Sequence, residues 1–169
     1  MNMSEFDDAY EDQQRIRGAI LETPISDLPL RAPILISACS KVADAVKSMN
    51  DNHTGCVLVE KDGKLIGIFT ERDVLTKNVT CADSHDAAVE TMMTKNPETL
   101  EPDDSIAFAL NKMSVGGYRH IPIVEASGKP VGVLSVRDIV DFLVDLFPAE
   151  VLNLPPNPKN EICDSADGG

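Results

Sequence analysis

Gly67-Ile-Phe-Thr-Glu-Arg-Asp73 and, 65 residues on, Gly132-Val-Leu-Ser-Val-Arg-Asp138 share one pattern: glycine, two apolar residues, a hydroxyl, two further residues and an aspartate. The likeness spreads outward from this pair. The same shift of 65 lays Glu60-Lys-Asp-Gly-Lys-Leu-Ile-Gly67 on Glu125-Ala-Ser-Gly-Lys-Pro-Val-Gly132. A shift of 64 lays Ile25–Pro33 on Val89–Pro97, Val42-Ala-Asp-Ala-Val46 on Ile106-Ala-Phe-Ala-Leu110, and Met49 on Met113. The change of shift requires a one-residue insertion near Ser114–Gly117, where a loop tolerates it. A match over nearly all of 25–147 means a duplicated structural unit.

Each copy reads alike. A short extended piece after a proline, Ile34-Leu-Ile36 or Thr99-Leu100, leads to a helix with apolar residues at helical spacing, about Ser40–Met49 and Asp104–Met113. Asp103 and Asp104 suit the N-terminus of the second helix. Two β-rich runs follow, Cys56–Val59 with Leu65–Phe69 and Ile121–Val124 with Val131–Leu134. Asp-Gly and Ser-Gly between them signal hairpins. A second helix closes each unit, about Arg72–Lys77 and Val136–Leu146. The expected fold is α/β, of the α+β type: two pseudo-symmetric β-α-β-β-α units packed through their sheets. The boundaries expected are 25–83 for the first unit, 84–88 for a linker and 89–147 for the second.

Composition narrows the function. The 169 residues carry 28 acids against 15 bases, a formal charge of −13, with 43% hydrophobic residues. Such a charge opposes attraction to nucleic-acid phosphates and to anionic membranes. No apolar stretch approaches the ~20 residues that span a bilayer, and the start lacks the basic and apolar regions of a signal peptide. A cytoplasmic location is expected. The ends are disproportionately acidic, net −4 over 1–24 and net −3 over 148–169. The first segment is expected to be partly helical, about Ala9–Leu21, and the proline-rich tail partly disordered. Cys39, Cys56, Cys81 and Cys163 with three histidines form no metal-ligand spacing, so no metal site is expected. No phosphate loop of Walker type and no hydrolase signature occurs, so no catalytic residue is named.

In both copies the strand ends at Thr70 or Ser135 and a helix starts at once. Unpaired amides at a helix start can receive an anion, and an aspartate one turn in offers two acceptor oxygens to the paired hydroxyls of a ribose. The other reading of Thr-x-x-Asp and Ser-x-x-Asp is a capping box that merely satisfies helix amides. The glycine permits close approach to the strand.

These segments, with Tyr118-Arg-His-Ile-Pro-Ile-Val124 and Met92-Met-Thr-Lys-Asn-Pro97, resemble CBS motifs, named for cystathionine beta-synthase, and the pair resembles a Bateman module. The resemblance covers about 25–147. It implies a non-enzymatic sensor that binds an adenosine-containing ligand (AMP, ADP, ATP or S-adenosylmethionine) between the motifs and changes motif or dimer arrangement in response. It also implies a homodimer. The family aspartate holds the ribose, a role that falls to Asp73 and Asp138; the family hydroxyl falls on Thr70 and Ser135; the first strand bordering the adenine falls on Leu35 and Thr99. Tyr118, Arg119, His120 and Pro122 belong to the second copy, where the family often places basic residues against phosphate. The corresponding His53-Thr54-Gly55 of the first copy has no arginine. The expected stronger site is therefore Thr99, Tyr118, Arg119, His120, Pro122, Ser135, Arg137 and Asp138, and the weaker is Leu35, Thr70, Arg72 and Asp73. The weaker would have to borrow Arg119 or His120 across the interface, or take a less charged ligand. Arg72 and Arg137 are read first as helix-surface ion-pair partners. A regulated protein partner is expected, of unknown identity. The alternative function is a ligand-free interaction or dimerisation scaffold with degenerate clefts.

Overall fold

The computed structural model describes residue 14 and residues 16–77 and 82–146. Helix α1 covers residues 16–22; the earlier part of the expected N-terminal helix, and the tail beyond 146, lie outside the described residues. In the first repeat β1 (Leu35–Ser37) is followed by α2 (Val42–Asp51), β2 (Cys56–Lys61), β3 (Lys64–Thr70) and α3 (Glu71–Thr76). Asp62 and Gly63 turn the β2–β3 hairpin with φ of +53° and +76°, the left-handed pair whose twist matches the strands. A short helix α4 (Ala82–His85) precedes the second repeat, which holds β4 (Thr94–Lys95), α5 (Ile106–Gly116), β5 (His120–Val124), β6 (Pro130–Ser135) and α6 (Val136–Leu146).

Two local expectations change. The extended piece at Thr99-Leu100 is reduced to a parallel bridge between Leu100 and Ile123. Asp103 and Asp104 do not open α5, which starts after Ser105; Asp104 Oδ2 instead accepts the Glu101 amide at 2.8 Å and closes the preceding turn.

The strands reveal an exchange between the repeats. The first sheet runs β1-β2-β3-β4, with β1 parallel to β2 and the other pairs antiparallel. β4 leads the second repeat, yet it pairs with β3 of the first, Thr94 opposite Ile68. Reciprocally, Arg31 in the leading segment of the first repeat, ahead of β1, bridges to Val133 of β6, which pairs with β5. The cores follow the same exchange. Ile25 and Leu28 are buried with Ile106, Met113, Ile121, Ile123, Leu134 and Ile139 of the second repeat, whereas Val89 and Met93 are buried with Val42, Met49, Val57, Val59 and Phe69 of the first. Each fully buried aliphatic side chain contributes roughly 1.5–3 kcal/mol, so the exchanged segments hold the two halves together.

The paired glycines acquire a reason here. A Cβ on Gly67 would run into the Met93 side chain, and one on Gly132 would lie 3.3 Å from Leu30 Cδ1. The strand lacks a side chain where the exchanged segment crosses it. A third cluster of Cys56, Leu58 and Ile68, with Leu65 and Val133 against it, joins the two sheets.

Candidate functional site

β3 ends at Thr70 in extended conformation and α3 begins with the next residue. The Thr70 amide and hydroxyl both donate to Asp73 Oδ2 at 2.9 Å, and Thr70 Oγ1 accepts the Asp73 amide at 3.4 Å. The second repeat copies this. The Ser135 amide and hydroxyl donate to Asp138 Oδ2 at 2.7 and 2.6 Å, and Ser135 Oγ accepts the Asp138 amide at 3.2 Å. Both aspartates are buried. Capping and binding are therefore not exclusive, since each cap uses Oδ2 and leaves Oδ1 for another partner. For Asp73 that partner is Lys77 Nζ at 2.7 Å, with Thr94 Oγ1 at 3.5 Å. For Asp138 it is Arg31 Nε at 3.9 Å.

A cavity of about 590 Å³ opens beside Thr70 and Asp73. Three segments build its wall: the start of α3, the exchanged stretch Thr94–Glu98, and the entry to β5 at Tyr118–His120. Ile68 and Leu75 add apolar surface. Arg72 spans the gap between repeats, donating from Nη1 to the Gly117 carbonyl at 2.8 Å. Gly117 itself ends α5 in a left-handed conformation, φ +66°, and so turns the chain back toward this cavity.

At one end of the cavity the His120 ring lies over Gly55: a Cβ there would be 3.1 Å from His120 Cε1 and 3.4 Å from the Glu71 carboxyl carbon. Burial holds the His120 imidazole below its ordinary pKa of 6.5; Glu71 and Asp138 oppose that shift and Arg119 adds to it. The ring is thus biased to its neutral form.

The structure regroups the residues expected from sequence. Tyr118, Arg119 and His120 line the cavity of Thr70 and Asp73, not one confined to Ser135 and Asp138. The physical reason is the sheet contact through Cys56, Leu58, Ile68 and Val133, which sets the entry of β5 beside the start of α3. His120 also stands opposite Ser135 in the β5–β6 ladder. The same ladders correct the comparison of the copies: Cys56 stands opposite Thr70 as His120 does opposite Ser135, so Thr54-Gly55-Cys56, not His53-Thr54-Gly55, corresponds to Tyr118-Arg119-His120.

The remaining residues scatter. Leu35 is an exposed residue of β1, Thr99 is half-buried beyond the cavity wall, and Pro122 is buried within β5. Arg137 pairs with Asp141 on the surface of α6 at 3.7 Å, and Arg72 takes a carbonyl rather than a carboxylate. Sequence reasoning did not single out Glu71, Thr94, Asn96 or Glu98, all of which line the cavity. Their signal lay in the 64-residue shift, which marked 89–97 as a repeated element without saying where it docks. Among the described residues, no cluster of histidine, cysteine and carboxylates could hold a metal ion. No helix among them is long and apolar enough to cross a membrane.

The sequence profile of the CBS domain matches residues 25–79 and 89–145. A 17.7 kDa protein in the bps2 3' region of Acidianus ambivalens is 31% identical over 127 residues, which cover 75% of this chain and 76% of that one. Against the larger Arabidopsis thaliana protein CBSCBSPB1 the match is 34% over 102 residues and spans only 19% of that chain. Among solved structures, the CBS domain pair of protein MJ0100, in complex with 5'-methylthioadenosine and S-adenosyl-L-methionine, is similar at a TM-score of 0.66 and 22% identity, over 73% of this chain and 98% of that one. CBSX2 in complex with AMP gives a TM-score of 0.64 at 18% identity, over 73% and 97%. At these identities the two structures speak to the fold. With both repeats matched and the exchanged sheets in place, the chain belongs to the CBS domain family and carries two such domains in tandem.

Proposed function

We propose that the chain is a non-enzymatic sensor that takes an adenosine-containing ligand into the cavity beside Asp73. The observation that carries this reading is the convergence on one volume of about 590 Å³ of a buried carboxylate from one repeat with Arg119 and His120 from the other. In this reading the ribose diol donates to Asp73 Oδ1, in competition with Lys77, while Oδ2 stays with the cap. Arg119 receives the 5' substituent, and Ile68 and Leu75 face apolar parts of the ligand. The adenosine compounds bound by MJ0100 and CBSX2 support the ligand class. Because the wall comes from both repeats, a ligand that fits one mutual arrangement better than another shifts the population toward it. A homodimer in the cytoplasm, acting on a protein partner, completes the reading; exposed Phe108 and Val115 on α5 and Val140 on α6 support such association.

Thermal unfolding with AMP, ADP, ATP, S-adenosylmethionine and adenosine tests it. A ligand at about 100 times its dissociation constant adds about 2.7 kcal/mol of stability, a rise of several degrees in a domain of this size. The ion pair of Lys77 with Asp73 Oδ1 favours the rival, a ligand-free scaffold with degenerate clefts. An unchanged melting temperature with every adenosine compound supports that scaffold.

A further inference from the structure

The charged side chains on the cavity wall are Glu71, Asp73 and Glu98 against Arg72 and Arg119. Most already have partners. Asp73 is paired with Lys77, Glu98 with Lys112, and Arg72 with the Gly117 carbonyl. Among the described residues no ion pair reaches Glu71 or Arg119. These two therefore set the charge that a ligand meets on this wall: Arg119 lines it from the second repeat and Glu71 from the first, the Glu71 carboxyl group sharing the space above Gly55 with His120. The cation that would receive a phosphate is thus accompanied by a carboxylate.

From this juxtaposition we infer that Glu71 is a specificity-determining residue, which restricts the cavity to adenosine ligands bearing at most one phosphate. The inference rests on the adenosine reading above and adds the charge class of the ligand. A single phosphate can take the Arg119 fork. Each further phosphate adds negative charge while the wall offers no second unengaged guanidinium, and that charge shares the cavity with the Glu71 carboxylate. Like charges set against each other are the usual means of rejecting a near-isosteric competitor. A cationic substituent, such as the sulfonium of S-adenosylmethionine, meets no such repulsion. Sequence position accounts for the asymmetry between repeats: the residue after the strand-end hydroxyl is Glu71 in the first and Val136 in the second.

The experiment is calorimetric titration of the full chain with adenosine, AMP, ADP and ATP in the presence of EDTA, so that no divalent cation masks the phosphates. AMP is expected to bind about tenfold or more tightly than ATP at low ionic strength, with the ratio narrowing as salt screens the exposed charges. Glu71→Gln is expected to shrink the AMP-to-ATP ratio by about tenfold, and Arg119→Gln to remove the advantage of AMP over adenosine. Circular dichroism checks that both variants fold. ATP binding as tightly as AMP in the unmodified chain overturns the inference and leaves the adenosine reading standing. A ratio untouched by Glu71→Gln overturns the role of Glu71. Failure of all four compounds to bind, and of S-adenosylmethionine titrated alongside them, removes the adenosine reading, and the inference with it.

Discussion

Lys77 Nζ stands 2.7 Å from Asp73 Oδ1, one helical turn along α3, and also donates to the Met92 carbonyl at 2.6 Å. The lysine thus ties together the aspartate, its helix and the segment exchanged from the other repeat. A ligand that claims Oδ1 must compete with this contact. Asp73 is therefore at once a cap, an anchor for the exchanged segment and the oxygen that faces the cavity.

Replacing the two aspartates separates these roles. Asp73→Ala and Asp138→Ala each remove a reciprocal cap and are expected to cost about 1 kcal/mol of stability. Only Asp73 lies on the cavity wall with Arg119, so Asp73→Ala is expected to weaken adenosine-ligand binding more than Asp138→Ala. This reverses the order that the sequence alone suggests, where Arg119 was grouped with Asp138. Urea unfolding and calorimetry on the two variants check both halves.

Gly67→Ala tests the crossing of β3 by the exchanged segment. Its new methyl group meets the Met93 side chain, and overpacking of this kind costs about 1–3 kcal/mol. Gly132→Ala meets Leu30 at 3.3 Å, a contact a side-chain adjustment can relieve, and is expected to cost less. Shortening Met93 in the Gly67→Ala background should restore part of the loss. Chemical denaturation of the single and double variants reads the coupling.

The His120 imidazole supplies a pH dependence. Burial lowers its folded pKa below the ordinary 6.5, against the pull of Glu71 and Asp138 and with the help of Arg119. Below 6.5 the unfolded chain therefore binds the proton more readily than the folded one, so this contribution to stability is lost as pH falls through that value toward the folded pKa. His120→Gln is expected to flatten that part of the stability profile. Melting temperatures from pH 7.5 to pH 5, with and without the substitution, provide the check.

Two cysteines are expected to react unequally. Cys56 is buried beneath the sheet contact and its thiol is pushed up to about 12, burial being the main cause. Cys39 is exposed. Thiolate is the reactive form, so alkylation of the folded chain should label Cys39 well before Cys56. Peptide mass spectrometry after a timed reaction distinguishes the two sites.

Much of the fold was legible because duplication repeats every local signal. Asp62-Gly63 marked a hairpin on its own, and the second copy repeated it with Ser127-Gly128. Helix α6 matches Val136–Leu146 as read, since its apolar spacing needs no tertiary context. The exchange was not legible. Thr94-Lys95 carries no β pattern beyond two residues, and its partner Ile68 belongs to the other repeat. For the same reason linear order groups Arg119 with Asp138 alone: the Arg119 carbonyl does accept the Val136 amide at the start of α6, at 3.0 Å, but packing also puts Arg119 on the cavity wall with Asp73. The Thr-x-x-Asp choice between capping and binding had no answer in sequence, because a one-letter code does not distinguish the two oxygens of a carboxylate.

The traded leading segments have a consequence for how the chain can be divided. A half excised from this molecule would carry a stopper shaped for its sibling and lack the one shaped for itself, with Ile25 and Leu28 or Val89 and Met93 left wet. The smallest piece that can close both interiors is the duplicated whole, or two severed halves brought back together.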